Sequence, residues 1–332
     1  MVWEVLSSGW KAENEFILNK GEDRRKSLKK YKGEERKEMN IKKNFTPRRE
    51  KELIVAIPSS ILYVEPSLRE KTLKIAYIIR CLSIFRVDKL VLYYDRTIEW
   101  SEHERLVKLF EKIYQCYMIP PYLRKKLIPL DPDLKFMGLV PPLRLNIFDV
   151  SKEPSLNEYR LAYVLDRNED YVIVDAGLDE NIKVFCREEC PQENEIILIK
   201  ITSINPPLGQ YSKSFEKIVY KGPRYTRLDN LVELTTKYKD TLYIIATSKY
   251  GETVSLNMLS KLAKSFMRKN GVLLLFGGPR YGLFDIAKSY YSVDLYELVD
   301  IVLNVIPMQG TKTVRTEEAL YAALSLLNLV LK

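Results

Sequence analysis

The sequence predicts an α/β protein whose parallel sheet is interrupted by a small antiparallel β-barrel. Three observations support this prediction. A strand, a helix and a strand follow one another from Leu53 to Asp95, closely spaced β-like runs fill residues 151–230, and strands alternate with helices again from residue 231 onward. Strand-helix-strand units with short connections form right-handed crossovers and parallel sheets. Short strands divided by turns form barrels or sandwiches.

The first 52 of the 332 residues are rich in charge and poor in apolar periodicity. They hold 15 basic and 10 acidic residues, and so contribute +5 of the formal net charge of +9. This composition predicts a disordered basic arm, which is either a contact to RNA or DNA phosphates or a solubilising extension. The positive charge of the whole chain favours an anionic partner.

Residues 53–150 are predicted to form the first part of the α/β domain. LIVAIPSSIL, from Leu53, is a short β-branched run ended by Pro and Ser, as expected of a buried strand. SLREKTLKIAYIIRCLSIF carries apolar residues at the i, i+3, i+4 spacing of a helix packed on one face. DKLVLYYD predicts a second strand and HERLVKLFEKIYQCYMI a second amphipathic helix, before a proline-rich basic region that ends at Arg144.

Residues 151–230 are predicted to form the inserted barrel, and residues 231–332 the second part of the α/β domain. The barrel strands are expected in YRLAYVLD, DYVIVDAG, NIKVF and NEIILIKITSI. The strands DTLYIIATS, VLLLFGG and DIVLNVIP then alternate with helices over SLNMLSKLAKSFMRK and EEALYAALSLLNLVL.

Composition excludes several classes of protein. No uncharged apolar run approaches the roughly 20 residues that span a bilayer, and the first residues lack a secretion signal, so no membrane partner is predicted. Four cysteines indicate a reducing, cytoplasmic compartment. Cys186 and Cys190 lack the further ligands that zinc needs, because the one histidine, His103, lies far away in sequence, so no metal is predicted. His103 is expected on a solvated helix face.

The stretch LLLFGGPRYGLFDI, Leu273 to Ile286, places a glycine-broken loop after an apolar strand. It is not a Walker-type phosphate loop, because Leu283 and Phe284 follow Gly282 where Lys and Ser or Thr are needed. The dinucleotide spacing G-x-G-x-x-G is absent as well. Alone, the loop is equally consistent with a simple turn.

Two further segments change that interpretation. IIATSKYGE, Ile244 to Glu252, and NVIPMQGTKTVRTEEAL, Asn304 to Leu320, also follow predicted strands. Ligand sites in parallel sheets gather at such carboxyl ends. In this order near the end of the chain, the three loops resemble those of the SPOUT class of RNA methyltransferases. The similarity is to the archaeal and eukaryotic branch with an inserted OB-like barrel, associated with uridine N3 methylation of ribosomal RNA.

This resemblance covers the chain from about Leu53 to the end. It implies a deep C-terminal trefoil knot that clasps S-adenosylmethionine, and a homodimer. Cofactor contacts are implied for twelve residues of the three loops: Thr247, Ser248, Gly277, Gly278, Gly282, Asn304, Ile306, Pro307, Gln309, Gly310, Thr313 and Val314. Leu283 is expected among the apolar walls of the site. We expect Gly278→Val to block cofactor entry with little loss of fold.

Substrate contacts are expected from basic residues. In the resemblance, an arginine at the position of Arg80 reaches the reaction centre, whereas the alternative for Arg80 is a structural ion pair. Arg315 either binds substrate or pairs with a neighbouring glutamate. The run from Arg124 to Lys126 beside Tyr122 is either an RNA contact or a solvated face. The complete expected set of substrate-binding residues is Arg124, Lys125, Lys126, Arg144, Arg227 and Arg315.

The function expected from the resemblance is S-adenosylmethionine-dependent methylation of a base, uridine N3, in ribosomal or other structured RNA. Positioning of the acceptor is the protein's main contribution to such a reaction. The alternative is a catalytically inactive RNA-binding or ribosome-assembly protein that keeps the fold. A nucleotide-cofactor oxidoreductase is a third, weaker alternative. The apolar last helix is expected either at a dimer interface or in the core alone.

Overall fold

The computed structural model describes residues 45–331. Residues 1–44 of the predicted basic arm, and Lys332, lie outside the described residues, so the disorder of the arm stays a prediction. The strands are β1 (Glu52–Pro58), β2 (Lys89–Tyr93), β3 (Tyr159–Arg167), β4 (Tyr171–Asp175), β5 (Ile182–Cys186), β6 (Ile196–Ser203), β7 (Leu208–Tyr211), β8 (Arg224–Leu228), β9 (Tyr243–Thr253), β10 (Gly271–Leu275) and β11 (Ile301–Asn304).

The helices alternate with the strands outside the barrel. They are α1 (Leu68–Ile84), α2 (Trp100–Met118), α3 (Pro121–Leu127), α4 (Lys213–Ile218), α5 (Leu231–Tyr238), α6 (Leu256–Met267), α7 (Leu283–Asp285), α8 (Leu295–Leu298) and α9 (Thr316–Asn328). Short 3₁₀ turns lie at Ser59–Leu62, Pro132–Leu134, Met137–Leu139 and Asn146–Phe148, and a π-helical turn follows α7 at Ile286–Tyr290.

The main sheet has six strands in the order β11-β9-β10-β1-β2-β8, and every pair in it is parallel. Side chains of β1 alternate between two cores: Leu53 and Val55 pack with α1, α2, α6 and α9, whereas Ile54 and Ala56 pack with α5, α7 and α8. Burial of both faces explains why the strands are continuous apolar runs. The predicted α/β class with a parallel sheet is confirmed.

Strands β3 to β7 close into a separate five-stranded barrel in the order β3-β4-β5-β7-β6. All its pairs are antiparallel except β5 with β7. Its interior is an apolar core of its own, which includes Val164, Val174 and Ile199. The predicted inserted β-barrel is therefore present.

The barrel strands end at Tyr211, and β8 pairs with β2 in the main sheet. The predicted boundary at residue 230 thus lies one strand too late. The residues before β8, in KIVYKGPRYTRL, carry turn-forming Gly and Pro like the connections inside the barrel. Periodicity could not separate the two sheets for that reason. The rest of the predicted domain division stays a prediction.

Two features of the structure were not predicted. Cys186 and Cys190 form a disulfide across the turn after β5. The segment after Thr247 was expected to be a loop, but β9 continues to Thr253 and pairs with β11 through a register shift. Gly251 permits this pairing, because a Cβ there would lie 2.6 Å from the carbonyl oxygen of Val302. Within residues 45–331 no helix is long and apolar enough to cross a membrane.

Candidate functional site

The carboxyl ends of β9, β10 and β11 lie side by side, because the three strands are neighbours in a parallel sheet. The second half of β9, the last residue of β11 and the segments that follow β10 and β11 surround a cavity of about 310 Å³. Ten of the twelve residues predicted to bind a cofactor line it: Thr247, Ser248, Gly277, Gly278, Gly282, Asn304, Ile306, Gln309, Thr313 and Val314. Pro307 and Gly310 do not belong to this lining.

Hydrogen bonds tie the three segments together around the cavity. Asn304 donates from Nδ2 to the carbonyl of Lys249 at 3.0 Å and accepts from the backbone NH of Ile306 at 3.1 Å. Thr247 donates to the carbonyl of Leu275 at 3.1 Å, and Thr316 to that of Gly277 at 3.3 Å. Side chains of this kind fix the loops and leave other backbone groups for a ligand.

The turn after β10 is closed tightly. A Cβ on Gly277 would lie 2.9 Å from the backbone nitrogen of Leu283, so glycine is required there for backbone to approach backbone. The NH of Gly278 donates to the carbonyl of Tyr281 at 3.0 Å, and that of Gly282 to Oδ2 of Asp285 at 3.1 Å. The cavity wall also includes apolar side chains, with Leu283 among them as expected.

Gly278 contacts both the cavity and buried protein side chains. It lines the cavity, but a Cβ on it would lie 2.8 Å from Oγ of Ser60 and 3.1 Å from Oδ2 of Asp95. Ser60 and Thr97 both donate to that same Oδ2, whereas the buried Oδ1 of Asp95 has no hydrogen-bond partner among the described residues. Burial raises the pKa of the Asp95 carboxyl. The expectation that Gly278→Val spares the fold is therefore wrong, since valine would collide with this buried pair.

A charged cluster joins the start of α9 to the segment between β1 and α1. The buried ammonium of Lys74 lies 2.9 Å from Oε1 of Glu65 and 3.3 Å from Oε2 of Glu317. Arg315, which is 66% exposed, lies 3.7 Å from both carboxylates. Arg315 is therefore next to the cavity residue Thr316 in the chain. It forms local ion pairs, one of them with its neighbour Glu317, as in the alternative to substrate binding.

Most of the predicted substrate residues lie elsewhere. Arg80 donates to the carbonyl of Pro142 at 2.9 Å and lines a second cavity of about 420 Å³ together with Arg86 and Arg144. Neither Arg80 nor Arg144 lines the cavity at the strand ends. The structure therefore does not bring Arg80 to the predicted cofactor residues within one chain.

The remaining predicted substrate residues are largely engaged in contacts within the chain. Arg124 donates to the carbonyl of Ile119 at 3.0 Å. Lys126 pairs with Asp175 at 2.7 Å, and Arg227 with Glu104 at 2.6 Å. Lys125 is exposed. These partners weaken the case for an RNA contact at the run from Arg124 to Lys126.

His103 is buried, which corrects the expectation of a solvated face. Its Nδ1 shares a hydrogen bond of 2.7 Å with Oγ of Ser59, and its Nε2 lies 3.5 Å from Oδ1 of Asp229. Rings of Tyr94 and Trp100 lie 4.6 and 4.9 Å from its own. Desolvation lowers the pKa of the imidazole despite the nearby carboxylate. Because charged residues surround His103 in the sequence, the sequence did not reveal that the imidazole lies on the inner, buried side of α2.

Sequence reasoning missed three features beside the cavity: Asp95, Arg280 and Tyr63. Arg280 lines the cavity and its guanidinium lies 5.0 Å from the ring centre of Tyr63. Position relative to the strands was the signal that could have found Asp95. Asp95 follows β2 as Ser60 follows β1, and both strands end at the edge of the sheet that carries the glycine turn. In the described part of the chain no cluster of His, Cys, Asp or Glu is arranged to hold a metal ion.

Comparison with known proteins gives a consistent result. Residues 52–327 match the model of a family described as "Putative RNA methyltransferase". The chain is 30% identical over 298 residues to a protein of Halobacterium salinarum, covering 83% of this chain and 98% of that one. It is 27% identical over 305 residues to the 28S rRNA (uridine-N(3))-methyltransferase of Homo sapiens, covering 83% of this chain and 77% of the human one.

Among solved structures, the chain is similar to the SpoU methyltransferase AviRb from Streptomyces viridochromogenes in complex with AdoMet. The similarity covers 86% of this chain and 58% of that chain, with 11% sequence identity and a TM-score of 0.33.

Proposed function

Because this chain belongs to the RNA methyltransferase family whose model it matches over residues 52–327, we propose that it transfers a methyl group from S-adenosylmethionine to uridine N3 in ribosomal RNA. The observation that carries the proposal is the cavity at the ends of β9, β10 and β11, where ten residues expected to contact the cofactor meet. The similarity to the human 28S rRNA (uridine-N(3))-methyltransferase supports the choice of atom and RNA.

The cavity residues fit a nucleoside with a charged tail. Phe276, Leu283 and Val314 provide apolar walls for an adenine ring, and Asn304 and Thr247 are polar groups suited to ribose hydroxyls. Gly277 closes the turn against the backbone of Leu283, so that the turn forms one side of the cavity. When bound, S-adenosylmethionine supplies an activated methyl group on its sulfonium. The residues of this chain would bind it, exclude water and align the acceptor.

The finer architectural expectations belong to the same proposal. The barrel order β3-β4-β5-β7-β6 supports an OB-like insertion, and we propose a trefoil knot in the segments between β9 and α9. A homodimer is supported by exposed apolar side chains on and next to the packed pair α1 and α9: Tyr77 and Ile84 of α1 are 48% and 55% exposed, and Leu329, directly after α9, is 73% exposed. We propose that the protein acts in the cytoplasm. We also propose that Arg80 contacts the RNA and that a partner subunit brings Arg80 to the cavity.

Mass spectrometry of ribosomal RNA nucleosides tests this function. RNA from cells with the gene should contain 3-methyluridine that RNA from cells without it lacks, and the purified protein with S-adenosylmethionine should restore it. A deletion strain with unchanged methyluridines, or a protein that restores a different modified base, would contradict the proposal. A chain that binds ribosomal RNA but never methylates it would favour an inactive assembly protein instead.

A further inference from the structure

A set of exposed and half-exposed tyrosines and arginines lies beside the cavity. We call it the aromatic-arginine strip, and it consists of Tyr63, Arg96, Arg280, Tyr281 and Tyr290. Tyr63 follows the turn after β1, Arg96 follows β2, and Arg280 and Tyr281 belong to the glycine turn after β10. These strands are adjacent in the order β10-β1-β2, so the strip crosses the carboxyl edge of the sheet.

Direct contacts make the strip continuous. The guanidinium of Arg280 lies 5.0 Å from the ring centre of Tyr63, and the rings of Tyr281 and Tyr290 meet edge to face at 5.5 Å. Arg96 donates to the carbonyl of Tyr290 at 3.2 Å and lies 4.3 Å from the ring centre of Tyr291. The strip therefore leads away from the cavity, which Arg280 also lines.

Charge and exposure distinguish this surface from other aromatic groups of the protein. Tyr63 is 42% and Tyr281 39% exposed, and both arginines are exposed. Among the described residues neither Arg96 nor Arg280 forms an ion pair with a carboxylate, unlike Arg227 with Glu104. The two positive charges are thus available to an anion.

The barrel provides the contrasting case. Tyr171 and Phe185 also form an exposed pair there, with the ammonium of Lys183 lying 3.7 Å from the ring centre of Tyr171. However, residues 151–212 contain twelve acidic and six basic residues. An acidic surface repels phosphates, so this pair is a poor site for nucleic acid.

We propose that the aromatic-arginine strip binds a single-stranded stretch of RNA next to the base to be modified. Bases stack on the tyrosine rings, and Arg96 and Arg280 contact phosphates, as in sequence-tolerant binding of single strands. The strip would hold the neighbouring nucleotides while the target base enters at the glycine turn. This inference rests on the proposed function, because it takes RNA as the substrate.

Fluorescence anisotropy with a labelled oligouridylate of about 12 nucleotides, a length within the range bound by single-strand sites, measures the affinity of the full chain without any cofactor. The double variant Tyr63→Ala, Tyr281→Ala should bind at least about tenfold more weakly, because each stacked base is lost. The matched variant Tyr63→Phe, Tyr281→Phe keeps the rings and should retain the wild-type affinity. The barrel variant Tyr171→Ala, Phe185→Ala should also retain it.

Arg96→Ala provides a second measure that does not depend on removing a ring. It should reduce the slope of log affinity against log salt by about one, since one phosphate contact is lost. Wild-type affinity and slope in all strip variants, or a loss confined to the barrel variant, would overturn the inference. The assay contains no S-adenosylmethionine, so failure of methyl transfer and failure of this RNA site are observed separately.

Discussion

At the scale of single residues, Gly277 and Gly278 are adjacent but are glycine for different reasons. Gly277 faces the backbone of Leu283, and this contact closes the turn. Gly278 faces the side chains of Ser60 and Asp95, so its missing Cβ makes room for a buried carboxylate. The sequence showed a glycine-rich turn after a strand, but it could not show which side of each glycine meets protein and which meets the cavity.

Alanine at Gly278 and at Gly282 tests the packing around this turn. Gly278→Ala should lower the free energy of unfolding by about 1 to 3 kcal/mol, because the added methyl group overpacks a buried site. Gly282→Ala should change it by less than about 1 kcal/mol, since the nearest atom to its Cβ lies 3.7 Å away and its φ of −74° suits alanine. Urea unfolding of both variants measures the difference. Equal stability of the two variants would show that Ser60 and Asp95 do not occupy the place described.

His103 gives the fold a dependence on pH. Desolvation lowers the pKa of its imidazole in the fold, an effect to which Arg227 adds and which Asp229 and Glu104 oppose. The unfolded chain therefore binds a proton that the folded chain does not once the pH falls below the ordinary pKa of 6.5. Stability contributed by neutral His103 is complete above that pH and is lost as the pH falls through it.

Urea unfolding at about pH 8 and about pH 5 tests this effect, because histidine changes charge between them. The wild type should lose more stability on acidification than His103→Gln, by about 1.4 kcal/mol for each unit by which the pKa is lowered. His103 is the only histidine of the chain, so no other imidazole contributes. Identical pH dependence of the two proteins would contradict the buried neutral state.

At the scale of elements, α1 and α9 lie together on one face of the sheet and share its core. α9 buries Leu320, Ala323 and Leu327, whereas Leu326 is only partly buried and Leu329, directly after the helix, is exposed. Together with Tyr77 and Ile84 of α1, these side chains form an apolar surface that is exposed to solvent in the single chain. Such a surface is typical of a protein interface.

Introduction of negative charge on this surface tests the homodimer. Tyr77→Glu, Ile84→Glu should convert a dimer to a monomer, because two buried carboxylates would face their symmetry copies across a twofold contact. Light scattering after size-exclusion chromatography measures the mass, with Leu130→Glu, on an exposed connection of the same chain, as the control. A wild type that is already monomeric at the highest concentration, or a dimeric double variant, would contradict the interface.

The elements themselves were well predicted where periodicity was strong. The apolar runs of β1, β2 and β10 and the amphipathic spacing of α1 and α2 gave their places closely, because each buries a defined face. The extension of β9 to Thr253 escaped prediction, since Ser248, Lys249 and Gly251 are typical of loops and pair with β11 only through a register shift. The membership of β8 escaped for a similar reason, because its partner β2 lies more than 130 residues earlier in the chain.

At the scale of the whole molecule, one domain carries the cavity and the aromatic-arginine strip, and the barrel carries negative charge. Ten of the twelve predicted cofactor residues line one cavity because the strand ends are adjacent in space, a consequence of parallel topology. The sequence did not show that two of the predicted substrate residues, Lys126 and Arg227, have carboxylate partners, because those partners are distant in the chain.

Calorimetric titration of S-adenosylmethionine tests the central claim most directly. The wild type should bind one cofactor per chain in the cavity at the ends of β9, β10 and β11. Val314→Trp, whose indole would fill that cavity from the loop before α9, should bind none while keeping the melting temperature of the wild type. No heat of binding to the wild type, or equal affinity in the folded variant, would contradict the placement of the cofactor.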